Sequence, residues 1–168
     1  MHSAVYAFVV ETVRSFPKRE RVLEIGSRNI NGSLRGLFPD VRWYCGIDLA
    51  PGDDVDCVAD GATFRTLEAP DTVVCCEVLE HAKDAELIVL NSFEQLAPNG
   101  IAIFTMATEG RAPHSASDGG DLAPGEFYRN VSTHELLIWC RPFRTVRIRA
   151  FPERGDLFAV ALKAGPDA

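Results

Sequence analysis

The chain has no apolar run long enough to cross a bilayer as a helix. Its opening stretch, residues 1–16 (MHSAVYAFVVETVRSF), carries no basic leader and is interrupted by Glu11 and Arg14, so it does not read as a secretory signal. An excess of positive charge is also missing. Lys and Arg number 17 against 24 Asp and Glu, a formal net charge of -7. That argues against broad, charge-driven nucleic-acid binding and leaves open only a local basic patch. The cysteines, Cys45, Cys57, Cys75, Cys76 and Cys140, are odd in number, and no pair has the spacing of a zinc site. Four of them sit in apolar, strand-like runs, so the five read as buried thiols in a reducing cytoplasm. Nor is there a G-x-G-x-x-G turn: the corresponding stretch reads GSRNIN, which speaks against a nicotinamide dehydrogenase.

What is present is enough for one domain, residues 1–168, with a full-sized core. Apolar content of 46% with 24% charged residues is that of an ordinary globular protein. The organising stretch is 21–33, RVLEIGSRNINGS. It predicts a buried strand at 22–25, a glycine turn at Gly26 and a short helix starting near Gly32. Glycine lets backbone approach a ligand, and a helix start offers free N–H groups. Glu24 is out of place in an apolar strand unless it is paired or meets a ligand.

Before this stretch, residues 3–16 predict an amphipathic helix, capped by Ser3 and ended by Pro17. After it come a weak helix at 33–38 and a strand at 41–47 that ends at Asp48. A third strand is expected at 53–59 before Asp60-Gly61, and a fourth at 72–76 before Glu77. Asp84 is placed to cap a helix running to Ala97, with Leu87, Leu90, Phe93 and Leu96 inward, and a fifth strand follows at 101–106. Ser132 and Glu135 form a capping box for a helix through Trp139. Strands at 143–151 and 157–164 then form an antiparallel hairpin, the first an edge strand with Arg147 and Arg149 on its polar face. Arg141, Arg144, Arg147 and Arg149 read as a solvated face, with an anionic macromolecule as the other reading.

Alternation of this kind predicts an α/β fold: a Rossmann-like, doubly wound, mostly parallel seven-stranded sheet with a C-terminal antiparallel hairpin and helices on both faces. Ligands in such sheets bind at the carboxyl ends of the strands. Glu24, Asp48, Asp60 and Glu77 all lie at or near such ends. The interval from Glu24 to Asp48 is that of one βα unit, and an acid there accepts both hydroxyls of a ribose. Four acids on one edge suit a ligand with a cation, a ribose and an adenine amine. Residues 107–131 are a long polar loop with Phe127 and Tyr128, read as a substrate lid.

Taken together, VLEIGS at 22–27, YCGIDLA at 44–50, VADG at 58–61, VVCCEVLEHA at 73–82 and LAPNGIAIFT at 96–105 make the chain resemble the class I S-adenosylmethionine-dependent methyltransferases of the small domain type. The resemblance implies S-adenosyl-L-methionine as cofactor and S-adenosylhomocysteine as product. It places Glu24, Gly26 and Ser27 at the methionine part, Asp48 at the ribose, Leu49 against the adenine and Asp60-Gly61 at the adenine edge. Glu77 and Val78 would line the pocket. Glu80-His81 match a frequent pair of varying role, with His81 either packing or facing the pocket. Arg28 replaces the family's second glycine and would clamp a carboxylate or point to solvent. His114, Glu77, Asp118 and Glu109 are the candidate bases, with His114 first by its ordinary pKa. His2 and His134 carry no assignment. The acceptor expected is a small molecule or a sugar-like compound, with nucleic acid or protein as the less favoured substrate and a cofactor-binding module without turnover as the third reading. No metal and no membrane partner are expected.

Overall fold

The computed structural model describes residues 2–16 and 20–166. Seven strands form one sheet: β1 (Arg21–Ile25), β2 (Trp43–Asp48), β3 (Cys57–Val58), β4 (Thr72–Cys76), β5 (Ile101–Ala107), β6 (Thr145–Phe151) and β7 (Asp156–Leu162). Their order across the sheet is β3-β2-β1-β4-β5-β7-β6. The first five pair in parallel, and β7 runs antiparallel to both β5 and β6. The chain moves outward from β1 to β3, then returns to the other side of β1 with β4. That reversal sets the switch point at the carboxyl ends of β1 and β4, where a crevice opens.

Burial explains the strand sequences. All five residues of β4 and all seven of β5 are buried, as continuous apolar runs between two covered faces require. One face packs on helix α1 (Ser3–Ser15), where Val5, Phe8 and Val9 meet Val22, Val74, Ile103 and Phe158. The other packs on α2 (Ala85–Gln95) and α3 (Thr133–Trp139), which bring Ile88, Val89, Leu136 and Trp139 against Leu23, Val73 and Phe104. The doubly wound sheet and its terminal hairpin are therefore as the sequence predicts.

Several local expectations are corrected. Ser3 does not cap α1: His2 occupies the cap position, without a side-chain bond. Pro17 lies outside the described residues. The helix expected at 33–38 is one 3₁₀ turn, Arg35–Leu37, and the strand expected at 53–59 is reduced to two paired residues. Asp84 precedes α2 but makes no capping bond, and Leu87 faces solvent at 51% exposure. The cysteines are all free thiols, yet Cys57 is exposed on the edge strand β3 and Cys45 is half-buried. The capping box of α3 forms in full: Ser132 Oγ accepts the Glu135 amide, and the Glu135 carboxylate accepts the Ser132 amide at 3.0 Å.

Candidate functional site

The floor of the crevice is a glycine turn that nothing larger fits. Gly26 has φ +78°, and a Cβ there would lie 2.2 Å from the Val78 side chain. Its amide and that of Ser27 both donate to the Ile47 carbonyl, at 2.8 and 3.0 Å, which closes β1 against β2. On the neighbouring wall a Cβ on Gly61 would lie 2.5 Å from Ile25. Around this floor opens a cavity of about 1200 Å³. It is lined by Glu24, Gly26, Ser27, Arg28, Asp48, Leu49, Asp60, Gly61, Glu77, Val78, His81 and His114, so these residues meet in one space. Asp118 and Glu109, the other base candidates, are exposed and do not line it.

The four acids are in different states. Glu24 is buried on β1 and accepts the Tyr44 hydroxyl at 2.6 Å, its only side-chain hydrogen bond among the described residues. Burial outweighs that bond and the charge of Arg35 and pushes its carboxyl up to about 7. Glu77 follows β4 with φ +57°, a left-handed conformation that is strained for a residue with a side chain. Burial raises its carboxyl, but His2, the Thr105 hydroxyl at 3.0 Å and Arg111 together outweigh burial and hold it below the usual range. Asp48 Oδ1 accepts the Ala50 amide at 3.0 Å, and Asp60 Oδ1 the Ala62 amide at 2.8 Å. Both carboxylates thus hold their own loops and keep a second oxygen. Leu49 stands at the rim with its apolar side chain 75% exposed.

Among the described residues, Ser27 Oγ and Arg28 Nε are buried without a hydrogen-bond partner. The Cγ and Cδ of Arg28 lie against Gly52.

The loop between β5 and α3 crosses the crevice. Arg111 anchors its start: one guanidinium nitrogen reaches the buried Asp156 at 3.0 Å and the other lies 3.5 Å from Glu77. His2 joins the same group, 3.5 Å from Glu77 and 3.7 Å from Asp156. Glu126 organises the middle of the loop. Its carboxylate accepts the Ser115 and Ser117 hydroxyls and the Ala123 amide, all at 2.9 Å. Residues 111–117 and 119–121 then line the cavity, with Phe127 behind them.

The loop brings His114 to His81. Their ring centroids are 5.0 Å apart, edge to face, and Tyr128 stands 5.4 and 4.9 Å from the two rings. Burial, followed by the nearby His114, lowers the pKa of His81 against the pull of the Phe127 backbone bond and Glu77. Beneath it Glu80 is fully buried, and burial followed by the charge of Glu77 pushes its carboxyl up to about 8.

Sequence reasoning missed His2, Tyr44 and the anchoring part of Arg111. Each reaches the site across the fold, from a distant stretch of chain, and no local pattern marks it.

No family model matches the sequence, and no curated protein matches it. The fold, by contrast, has many counterparts. The chain superposes on a S-adenosylmethionine-dependent methyltransferase from Clostridium acetobutylicum with a TM-score of 0.71 at 10% identity, over 98% of this chain and 93% of that one. The N-methyltransferase NodS from Bradyrhizobium japonicum, in complex with S-adenosyl-L-homocysteine, gives a TM-score of 0.68 at 17% identity, over 94% of this chain and 85% of that one. CalS10, an amino pentose methyltransferase from Micromonospora echinaspora with bound SAM, gives 0.66 at 15% identity, over 95% and 90%. The chain therefore has the Rossmann-like fold of the class I methyltransferases.

Proposed function

We propose that the chain is a S-adenosylmethionine-dependent methyltransferase, working as a single domain in the cytoplasm, that transfers a methyl group to an oxygen or nitrogen of a small-molecule or sugar-like acceptor. The observation that carries this reading is the cavity of about 1200 Å³ at the switch point, which gathers the acids, the glycine turn and the lid. Its donor set fits the cofactor. Glu24 is a buried carboxyl without an ion-paired partner among the described residues and would face the methionine ammonium. The unpartnered Ser27 Oγ and Arg28 Nε would face the same end, with Arg28 toward the carboxylate. Asp48 keeps an oxygen for the ribose hydroxyls, Leu49 offers an apolar contact to the adenine, and Asp60 with Gly61 lies at its edge. Glu77 and Val78 form the remaining wall.

The bound cofactor would supply a methyl group already activated on a sulfonium. The chain's own part is to align an acceptor and exclude water. The lid does the second, closed over the crevice by Arg111 and Glu126. For the acceptor, His114 is the residue at hand. Its Nδ1 lies 3.2 Å from the Ala112 carbonyl, which only accepts, so Nε2 carries the free lone pair and can take a proton. The amino sugar and N-methyltransferase neighbours support an acceptor of this size. A nucleic-acid or protein acceptor is the second reading, resting on the exposed Arg144, Arg147 and Arg149.

The test is calorimetric titration with S-adenosylmethionine and, separately, NAD. Roughly micromolar binding of the first and none of the second is expected, with Asp48→Ala weakening it about 10- to 100-fold. Absence of S-adenosylmethionine binding at millimolar concentration would overturn the reading.

A further inference from the structure

Glu80, His81 and His114 form a cluster of which the reading above uses only His114. Glu80 lies on the 3₁₀ turn Leu79–His81 and is 0% exposed. Its Oε1 accepts the Ala107 amide at 3.0 Å, and its Oε2 is buried without a partner. The adjacent His81 bonds the Phe127 backbone and leaves Nδ1 buried, also without a partner. His114 comes down from the lid with Nδ1 committed to the Ala112 carbonyl at 3.2 Å. One possible ligand atom from each of the three residues lies within 4.8 Å of the other two.

Buried polar atoms without a partner are rare and costly. Two such atoms on adjacent residues, with a second imidazole beside them, call for one shared electrophile. A water molecule donates to only two of the three. A cation satisfies all three and fixes Glu80 as an ionised ligand. One carboxylate and two imidazoles is the donor set of zinc-class ions, and it leaves a coordination position open. Both rings are turned by a bond from the other nitrogen to backbone, as metal-bound histidines are. The groups facing the cluster are Tyr128, edge-on to both rings, and the neighbouring Glu77 and Arg111, which are occupied with each other at 3.5 Å.

We propose that Glu80, His81 and His114 bind one divalent transition-metal cation of the zinc class, which ties the lid loop to the turn after β4. The site stands on these three residues alone and does not require the cofactor reading. It does refine the part given to His114: with its lone pair on the ion, that ring no longer takes a proton, and the open coordination position faces the acceptor side of the cavity.

The experiment is titration of the untagged, chelator-treated full chain with Co²⁺, followed by visible absorption, and then displacement by Zn²⁺. One Co²⁺ per chain is expected, with ligand-field bands, about micromolar or tighter. His114→Ala is expected to weaken uptake at least about tenfold, and Glu80→Gln likewise where it folds, while Asp48→Ala leaves it unchanged. His114 is on a loop, so its variant decides the matter even if Glu80→Gln fails to fold. No uptake at millimolar Co²⁺, or uptake unaltered in His114→Ala, overturns the proposal. S-adenosylmethionine titrated in the presence of chelator separates the two readings. Binding there without Co²⁺ uptake removes only the metal, and Co²⁺ uptake without cofactor binding removes only the cofactor.

Discussion

Glu24 is the residue whose chemistry can be tested without any ligand. Its carboxyl is pushed up to about 7 when folded, chiefly by burial, against an ordinary value of 4.5. Below 4.5 it is protonated in both the folded and unfolded chain and contributes no pH dependence. Between 4.5 and 7 the folded chain holds a proton that the unfolded chain has released, so stability falls as pH rises. Above 7 both are ionised and the burial penalty is felt in full. Glu24→Gln keeps an oxygen for the Tyr44 hydroxyl and removes the charge. It is therefore expected to gain roughly 3 kcal/mol over the parent at pH 8 and almost nothing near pH 4.5, measured by urea unfolding. A gain of equal size at both pH values would mean that Glu24 is not the titrating group. The sequence marks Glu24 as anomalous because an acid in an apolar strand is anomalous anywhere. Its partner Tyr44 could not be read from the same pattern, since the two meet only once β1 and β2 pair.

At the scale of elements, the lid is held less by packing than by one carboxylate. Glu126 accepts from Ser115, Ser117 and Ala123, and no helix or strand forms between Ala107 and Thr133. Glu126→Ala should release three hydrogen bonds at once and open the segment locally while the sheet stays intact. Limited proteolysis is expected to cut within 113–126 several times faster in the variant, with the melting temperature little changed. Cleavage at the parent rate would show that the loop is held by something else. Elements with a strong local signal were legible. The bounds of β4 and the Ser132–Glu135 box follow from an uninterrupted apolar run and from a side-chain bond three residues long. Those that failed lacked such a signal. At 33–38 Gly36 and, three residues further on, Pro39 allow only one 3₁₀ turn. At 53–59 alternating acids leave two residues to pair at the sheet edge.

For the whole molecule, charge and topology argue in the same direction. The chain carries a net charge of -7, and the arginines of β6 do not make a free basic surface. Arg149, which shares a strand face with Arg147, is held by Glu11 through two bonds of 2.9 Å. At about 0.15 M salt, single- and double-stranded oligonucleotides are expected to show no binding by fluorescence anisotropy. Retention at that salt with a steep salt dependence would favour the nucleic-acid reading of the acceptor. The doubly wound order itself was legible because the alternation of apolar runs with helical spacing leaves few arrangements of a parallel sheet. The packing of α1 on one face, and the part of His2 at the crevice, were not, since nothing in residues 2–15 records which strands they will meet.

The glycines at the crevice floor also bear on how such a sequence can drift. A side chain at position 61 collides with Ile25, and one at 26 collides with Val78. The glycine of neither pair can gain a side chain alone, so such a change must arrive together with, or after, a loss of bulk at residue 25 or 78. Random single-site libraries will therefore find positions 26 and 61 frozen, and recombined double libraries will find the 25–61 pair the freer of the two, because Gly26 must in addition keep its left-handed backbone.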